Sequence, residues 1–219
     1  RTDGLLTAFV MLSVWLLSVW RRDASVVDIF WGPGFAGIAL VAFAVSDGPL
    51  ARRALVTALA LIWGLRLGGY LLWRNWGKPE DFRYQAMRRH WGDRFAIVSL
   101  FTVFALQGSL MWIVSLPLQL AQASPTPEAL GVFDALGAGL WLVGMFFETV
   151  GDAQLARFKA DPANAGRVMD RGLWRYTRHP NYFGDFCVWW GFYLMALAAG
   201  AWWSIVGPLI MSFLLLRFS

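Results

Sequence analysis

Apolar residues in this chain fall in blocks, not at the spacing of an amphipathic helix or a half-buried strand. About 20 apolar residues cross a hydrocarbon core as a helix. Seven blocks reach that length, at about 4–20, 26–46, 54–73, 96–121, 130–156, 182–199 and 201–217. Composition points the same way: of 219 residues 58% are hydrophobic and 15% charged, with 14 Trp and 17 Phe, too little charge to cover a soluble domain. The expectation is an all-α polytopic integral membrane protein, one domain over 1–219 with seven transmembrane helices. The first block is long, lacks a small-residue cleavage pattern and runs into Arg21-Arg22, so it reads as a helix and not as a signal peptide. Arg1 at one end and an apolar run at the other make both ends read as trimmed.

Basic residues sort by loop, which sets the side that each loop faces. Segments 21–25, 74–95 and 157–180 hold fourteen Lys and Arg, from Arg21 to Arg178, whereas 47–53, 122–129 and 199–203 hold only Arg52 and Arg53. Every second loop is basic. This predicts an external N-terminus, a cytoplasmic C-terminus and two large cytoplasmic loops, 74–95 and 157–180, that cap the bundle.

The charges inside the apolar blocks are more informative, because an ionised group there costs at least about 2.5–3.5 kcal/mol unless paired or wetted. Asp28, Arg66, Glu148, Asp152 and Asp185 are the five in question, and the four acids fall in the cytoplasmic half of their helices. Glu148 and Asp152, four residues apart, project from one helix face and need positive or donor partners. Arg66 is one option, and the arginines of segment 175–185 are another. The group is either an interhelical ion-pair network or the lining of a polar cavity open to the cytoplasm. The number of acids at one depth, beneath the most basic loops, favours the cavity.

Known soluble chemistries leave little trace. No G-x-G-x-x-G follows a strand and no Walker loop occurs, while "GLRLGG" at 64–69 lies within an apolar helix. His90 and His179 have no partner at ligand spacing, and a single cysteine, Cys187, excludes an internal disulfide and a cysteine metal site; no metal is expected. The stretch "GRVMDRGLWRYTRHPNYFGD", 166–185, is different. Pro180 ends a structured loop and starts a helix near Asn181, whose free amides, with Arg171, Arg175 and Arg178 nearby, suit a phosphate. Tyr176 and Tyr182 offer rings for a base.

"GLWRYTRHPNYFGD" resembles the C-terminal signature of the steroid 5-alpha-reductase family, bacterial members included, and "RYTRHPNY" is also similar to sterol reductases and isoprenylcysteine carboxyl methyltransferases. "VDIFWGPGF" (27–35), "RNWGKP" (74–79) and "ETVGDAQLARFK" (148–159) resemble family segments in the same order, so the likeness covers most of the chain. The resemblance implies an NADPH-dependent reduction of a carbon–carbon double bond conjugated to a ketone, as in 3-oxo-4-ene steroids. It implies cofactor contacts at Asn75, Lys78, Asp152, Lys159, Arg167, Asn181 and Asp185, with Arg171, Tyr176, Arg178 and His179 from the signature loop beside them. Glu148 would lie deeper, against the nicotinamide carboxamide, as part of the catalytic set.

Vertebrate members carry a Gln-Glu pair in the early helix where this chain reads Asp28-Ile29-Phe30-Trp31. Asp28 is accordingly the expected acid at the ketone, with Tyr70 second. Trp31, Phe35, Trp63 and Gln107 are assigned to the substrate slot, in a helix that Pro33 and Gly34 make irregular. The alternative is an S-adenosylmethionine-dependent methyltransferase acting on a lipid or an isoprenylcysteine-type group, whose cofactor lacks the phosphates that so many cations suit. Expected partners are an apolar steroid-like molecule and membrane lipid, without nucleic acid, for a monomer in a bacterial inner membrane.

Overall fold

A computed structural model describes residues 2–217. It is all-helical, with no strand among the described residues. The apolar blocks become α1 (Thr2–Arg21), α2 (Val26–Val45) and α3 (Leu50–Asn75), then a broken rod, then α8 (Val132–Ala160), α9 (Pro180–Ala198) and α10 (Val206–Arg217). The rod follows the short polar helix α4 (Phe82–Trp91) and consists of α5 (Phe95–Ser99), a π turn (Leu100–Ala105), α6 (Leu106–Val114) and α7 (Leu116–Ala123), the last started by Pro117.

Among the described residues, five segments are long and apolar enough to cross a membrane: Gly4–Arg21, Val26–Val45, Leu50–Asn75, Phe82–Ala123 and Val132–Ala160. The 19-residue α9 and the 12-residue α10 are not among them. Each predicted cytoplasmic loop is also shorter than expected. α3 runs to Asn75 and α4 starts at Phe82, so segment 74–95 shrinks to a strap at 76–81. Lys78 N–H donates to Asn75 O at 3.0 Å, and Gly77, with φ +71°, turns the strap back on itself.

Glycine decides how closely the helices pack. A Cβ on Gly32 would lie 2.5 Å from Gly64 O, and one on Gly64 2.4 Å from Gly32 O, so α2 and α3 meet backbone to backbone. The same holds twice between α8 and α9, at Gly137 with Gly191 and at Gly144 with Gly184. These are the two most closely packed helix pairs of the bundle. α2 runs unbroken through Pro33, whose ring fills the space left by Gly68. At the centre, Phe35, Trp63 and Trp189 pack edge to face, with Phe35 and Trp189 centroids 4.5 Å apart and all three fully buried.

One feature of the far end overturns an expectation. Arg52, read from the sequence as part of the loop 47–53, sits in the first turns of α3 and is fully buried against Asp134 at the start of α8. Its Nε and Nη2 donate to the two Asp134 oxygens at 2.9 and 3.1 Å, and Nη1 and Nη2 donate to Pro127 O and Ala129 O. Such a pair survives burial because every guanidinium face has an acceptor. Arg53 turns back to donate to Phe43 O and lies 4.7 Å over the Phe43 ring. Both cations of that end are therefore held by the protein itself.

Candidate functional site

The ends of α3 and α8 and the start of α9 meet at one end of the bundle. Helical spacing places Trp63, Arg66 and Tyr70 on successive turns of α3, and Glu148 and Asp152 on successive turns of α8. Arg66 forks between the acids, with Nη1 2.8 Å from Glu148 Oε2 and Nη2 2.5 Å from Asp152 Oδ2. Trp63 Nε1 donates to the other Glu148 oxygen at 3.0 Å, and Asn181 Nδ2 to the other Asp152 oxygen at 3.3 Å. Of the two partners left open by the sequence, Arg66 is the one used. Arg178, two residues before the start of α9, borders a separate cavity with Phe183, Phe186 and Ser212.

The third acid, Asp185, lies close enough to Glu148 for their charges to interact, and its buried Oδ1 has the Trp189 indole N–H as a neighbour without a well-formed hydrogen bond to it. Three carboxylates thus face one guanidinium. Gly184 makes this crowding possible, since a Cβ there would lie 2.7 Å from Glu148 Cγ. Above the acids a cavity of about 380 Å³ opens between α3 and α8, lined by Tyr70, Trp73, Arg74, Lys78, Asp152, Lys159 and Asn181 among others. A second cavity, of about 320 Å³, continues from the shared residues Leu155 and Lys159 to Arg167. The acids are therefore not satisfied only by one another: Asp152 and Asn181 border an open cleft with cations on its rim.

The predicted cofactor residues divide into two groups. Asp152, Asn181, Lys78, Lys159 and Arg167 border this pair of cavities, with Glu148 and Asp185 beneath them. Arg178 and His179 instead border a separate cavity between α9 and α10, where the His179 ring stacks on Tyr182 at 5.0 Å. Arg171 and Tyr176 project to solvent, Tyr176 at 83% exposure, and line neither cavity. The loop bearing them is pinned to α8 by two bonds, Leu173 N–H to Gln154 Oε1 and Trp174 Nε1 to Gly151 O, each 2.9 Å. Asn75 faces a different cavity, behind the strap.

The residues assigned to the substrate end are spread similarly. Asp28 accepts from Tyr84 Oη at 3.0 Å and from Arg83 Nη2 at 3.1 Å, and Gln107 Nε2 lies 3.3 Å from the same tyrosine oxygen. Gln107 and Asp28 thus belong to one chain of hydrogen bonds through Tyr84, a residue the sequence did not single out. The signal was the register of α4: Asp81 caps the helix by accepting Arg83 N–H, which puts Tyr84 one turn in, on its buried face. Tyr70 lies apart from this chain, lining the cleft with Arg66 and Arg74 each within 5.8 Å of its ring centroid. Trp31 packs edge-on against Phe35 at 5.2 Å, and Phe35 and Trp63, both fully buried, border neither cleft cavity.

An all-helical bundle with five membrane-length helices and a charged cleft at one end is the class of protein these observations define. Residues 14–219 match the family described as "Protein of unknown function (DUF1295)", and the chain belongs to it. An uncharacterized protein of Schizosaccharomyces pombe is similar to it, 26% identical over 245 residues that cover 93% of this chain and 69% of that protein. No solved structure matches it.

Proposed function

We propose that the chain is an NADPH-dependent reductase of a carbon–carbon double bond conjugated to a ketone, of the steroid 5-alpha-reductase kind, taking a 3-oxo-4-ene steroid or a similar apolar enone. The observation that carries this reading is the cleft, with Asp152 and Asn181 at its base, Arg74, Lys78 and Lys159 around it, and a continuation to Arg167. Its length and charge suit an elongated ligand with phosphates at one end. At the other end, the cluster of carboxylates Glu148, Asp152 and Asp185 suits a carboxamide N–H donor. NADPH, when bound, supplies the hydride that goes to the β carbon of the enone. A cofactor without phosphates, S-adenosylmethionine, would leave the rim cations without a partner.

Asp28, Tyr84 and Gln107 provide for the ketone. Tyr84 Oη already donates to Asp28 and lies within reach of the Gln107 amide. A ketone oxygen that takes the place of Asp28 as acceptor receives the tyrosine hydrogen bond where enolate charge develops. The product gains one hydride at the β carbon and one proton at the α carbon. Tyr70, on the cleft wall, serves to pack a ring instead of protonating. In the same reading α1, α2, α3, the rod at 95–123, α8, α9 and α10 are seven spans of a bacterial inner membrane protein, the N-terminus is external, and the cleft opens to the cytoplasm.

Titrating purified full-length chain with NADPH and with S-adenosylmethionine tests the reading directly. Saturable NADPH binding that Lys159→Ala weakens about tenfold or more, with oxidation of NADPH on addition of a 3-oxo-4-ene steroid, is expected. Binding of S-adenosylmethionine alone would overturn it.

A further inference from the structure

A larger cavity, of about 690 Å³, lies behind the strap at the end of the bundle where α1 stops and α2 starts. Its walls are tied together. Glu80 Oε1 accepts Ala24 N–H at 2.8 Å, Asp81 N–H donates to Ser25 Oγ at 2.7 Å, and Arg88 holds both Glu80 oxygens at 2.8 and 3.0 Å. The 22–25 turn and the strap therefore form one preformed wall, not two independent loops.

The charges around this cavity are unequally committed. Asp23 Oδ1 accepts Ser25 N–H at 2.9 Å, and Asp81 Oδ1 accepts both Arg83 N–H and Arg83 Nε. Burial pushes Asp81 up, but its bonds from Arg83 outweigh that and hold it below the ordinary carboxylate value. The side chains of Arg21 and Lys78, on the same cavity, make no hydrogen bond or ion pair among the described residues. Val26, Ile29 and Leu72 supply an apolar floor beneath them. The lining carries two cations and two acids, but the acids already accept N–H donors, so Arg21 and Lys78 are left to face an anionic headgroup, as cations between helices at a membrane edge do, and the volume falls in the range of small-molecule sites.

We propose that this cavity binds the phosphate-bearing head of an anionic amphiphile, its phosphate facing Arg21 and Lys78 and the first carbons of its tail lying on Ile29 and Leu72. The site stands independently of the reductase reading. Lys78 borders the cleft as well, so Arg21, which does not, is the residue that tells the two apart. Each cation near such a headgroup contributes about 1 kcal/mol, or roughly a fivefold change in affinity.

Native mass spectrometry of the full chain in neutral detergent, titrated with phosphatidylglycerol or phosphatidylcholine of equal chain length, reads the binding. One saturable phosphatidylglycerol is expected, weakened about fivefold by Arg21→Gln, more by Arg21→Gln with Lys78→Gln, and not by Arg89→Gln or Arg94→Gln on exposed surface. Inorganic phosphate should not displace it at equal concentration. Equal binding of the two lipids would overturn the proposal, as would an unweakened Arg21→Gln variant. Displacement by inorganic phosphate alone would mean the cavity reads a free phosphate and the tail contributes nothing, which also overturns it. Where Arg21→Gln does not fold, Arg21→Lys keeps the charge and must bind as the parent does, and the lipid preference of the parent chain still decides.

Discussion

Replacing Arg66 by methionine removes the one cation, among the described residues, that is bonded to Glu148 and Asp152, acids that are 3% and 6% exposed. Breaking a buried ion pair by deleting one partner costs about 3–5 kcal/mol, because a charge is left uncompensated. The Arg66 side chain is 17% exposed and so reached by some water, which places the expected loss at the lower end, about 3 kcal/mol. Spread over a chain of this size, with about 2–4 °C of melting temperature per kcal/mol, the variant should melt about 6–12 °C lower in detergent. The triple variant Arg66→Met, Glu148→Gln, Asp152→Asn removes the orphaned charges with the cation and should recover most of that loss. Thermal unfolding followed by tryptophan fluorescence measures both. A single variant that melts with the parent, or a triple no more stable than the single, would refute the assignment of Arg66 as the counterion that makes this acid cluster tolerable.

Three further outcomes are expected. Gly144→Leu forces a side chain into the Gly184 carbonyl, 2.5 Å from where its Cβ would sit; overpacking of about 1–3 kcal/mol or more should lower the melting temperature and loosen nucleotide binding together. Tyr84→Phe keeps the ring and removes the hydroxyl, so turnover of an enone should fall at least tenfold while the NADPH dissociation constant stays within about twofold; equal loss of both would remove Tyr84 from the chemistry. Burial raises Glu80, but the bonds from Arg88 and Ala24 N–H outweigh it and hold the carboxyl below its ordinary value. A depressed carboxyl stabilises above the ordinary pKa near 4.5 and loses that contribution as pH falls through the folded value. The protection factor of the Ala24 amide, its exchange rate measured against the intrinsic rate at each pH, should accordingly fall below about pH 4.5 in the parent chain, and Glu80→Gln should make it small and insensitive to pH.

The helices were legible because apolar runs need no partner to declare themselves, and the breaks between them carry Gly, Pro or paired charge, as at Asp47-Gly48-Pro49. What crossed a membrane was less so: α9 opens with Asn181 and Asp185, and α10 is short, so neither joins the five long apolar segments. Spacing put Glu148 and Asp152 on one face and named Arg66 as a possible partner, but only the fold showed that Arg66 is the one used, since Arg175 and Arg178 lie before the start of α9, where no periodicity fixes their position. Tyr84 escaped notice because a hydroxyl in a polar, arginine-rich segment looks like surface until the cap at Asp81 fixes the register. Arg52 escaped for the opposite reason: its acceptor, Asp134, is 82 residues away, and no local pattern connects them.

The glycine contacts between α8 and α9 bear on how such a protein can diversify. Where two backbones touch at 137 with 191 and at 144 with 184, neither helix has room to grow a side chain. The acids they carry are consequently fixed in place as a unit, and a change of ligand preference can be written only on the opposing wall, in Tyr70, Trp73, Arg74 and the strap that follows them. Variation among relatives should concentrate there and spare the glycines that join α8 to α9.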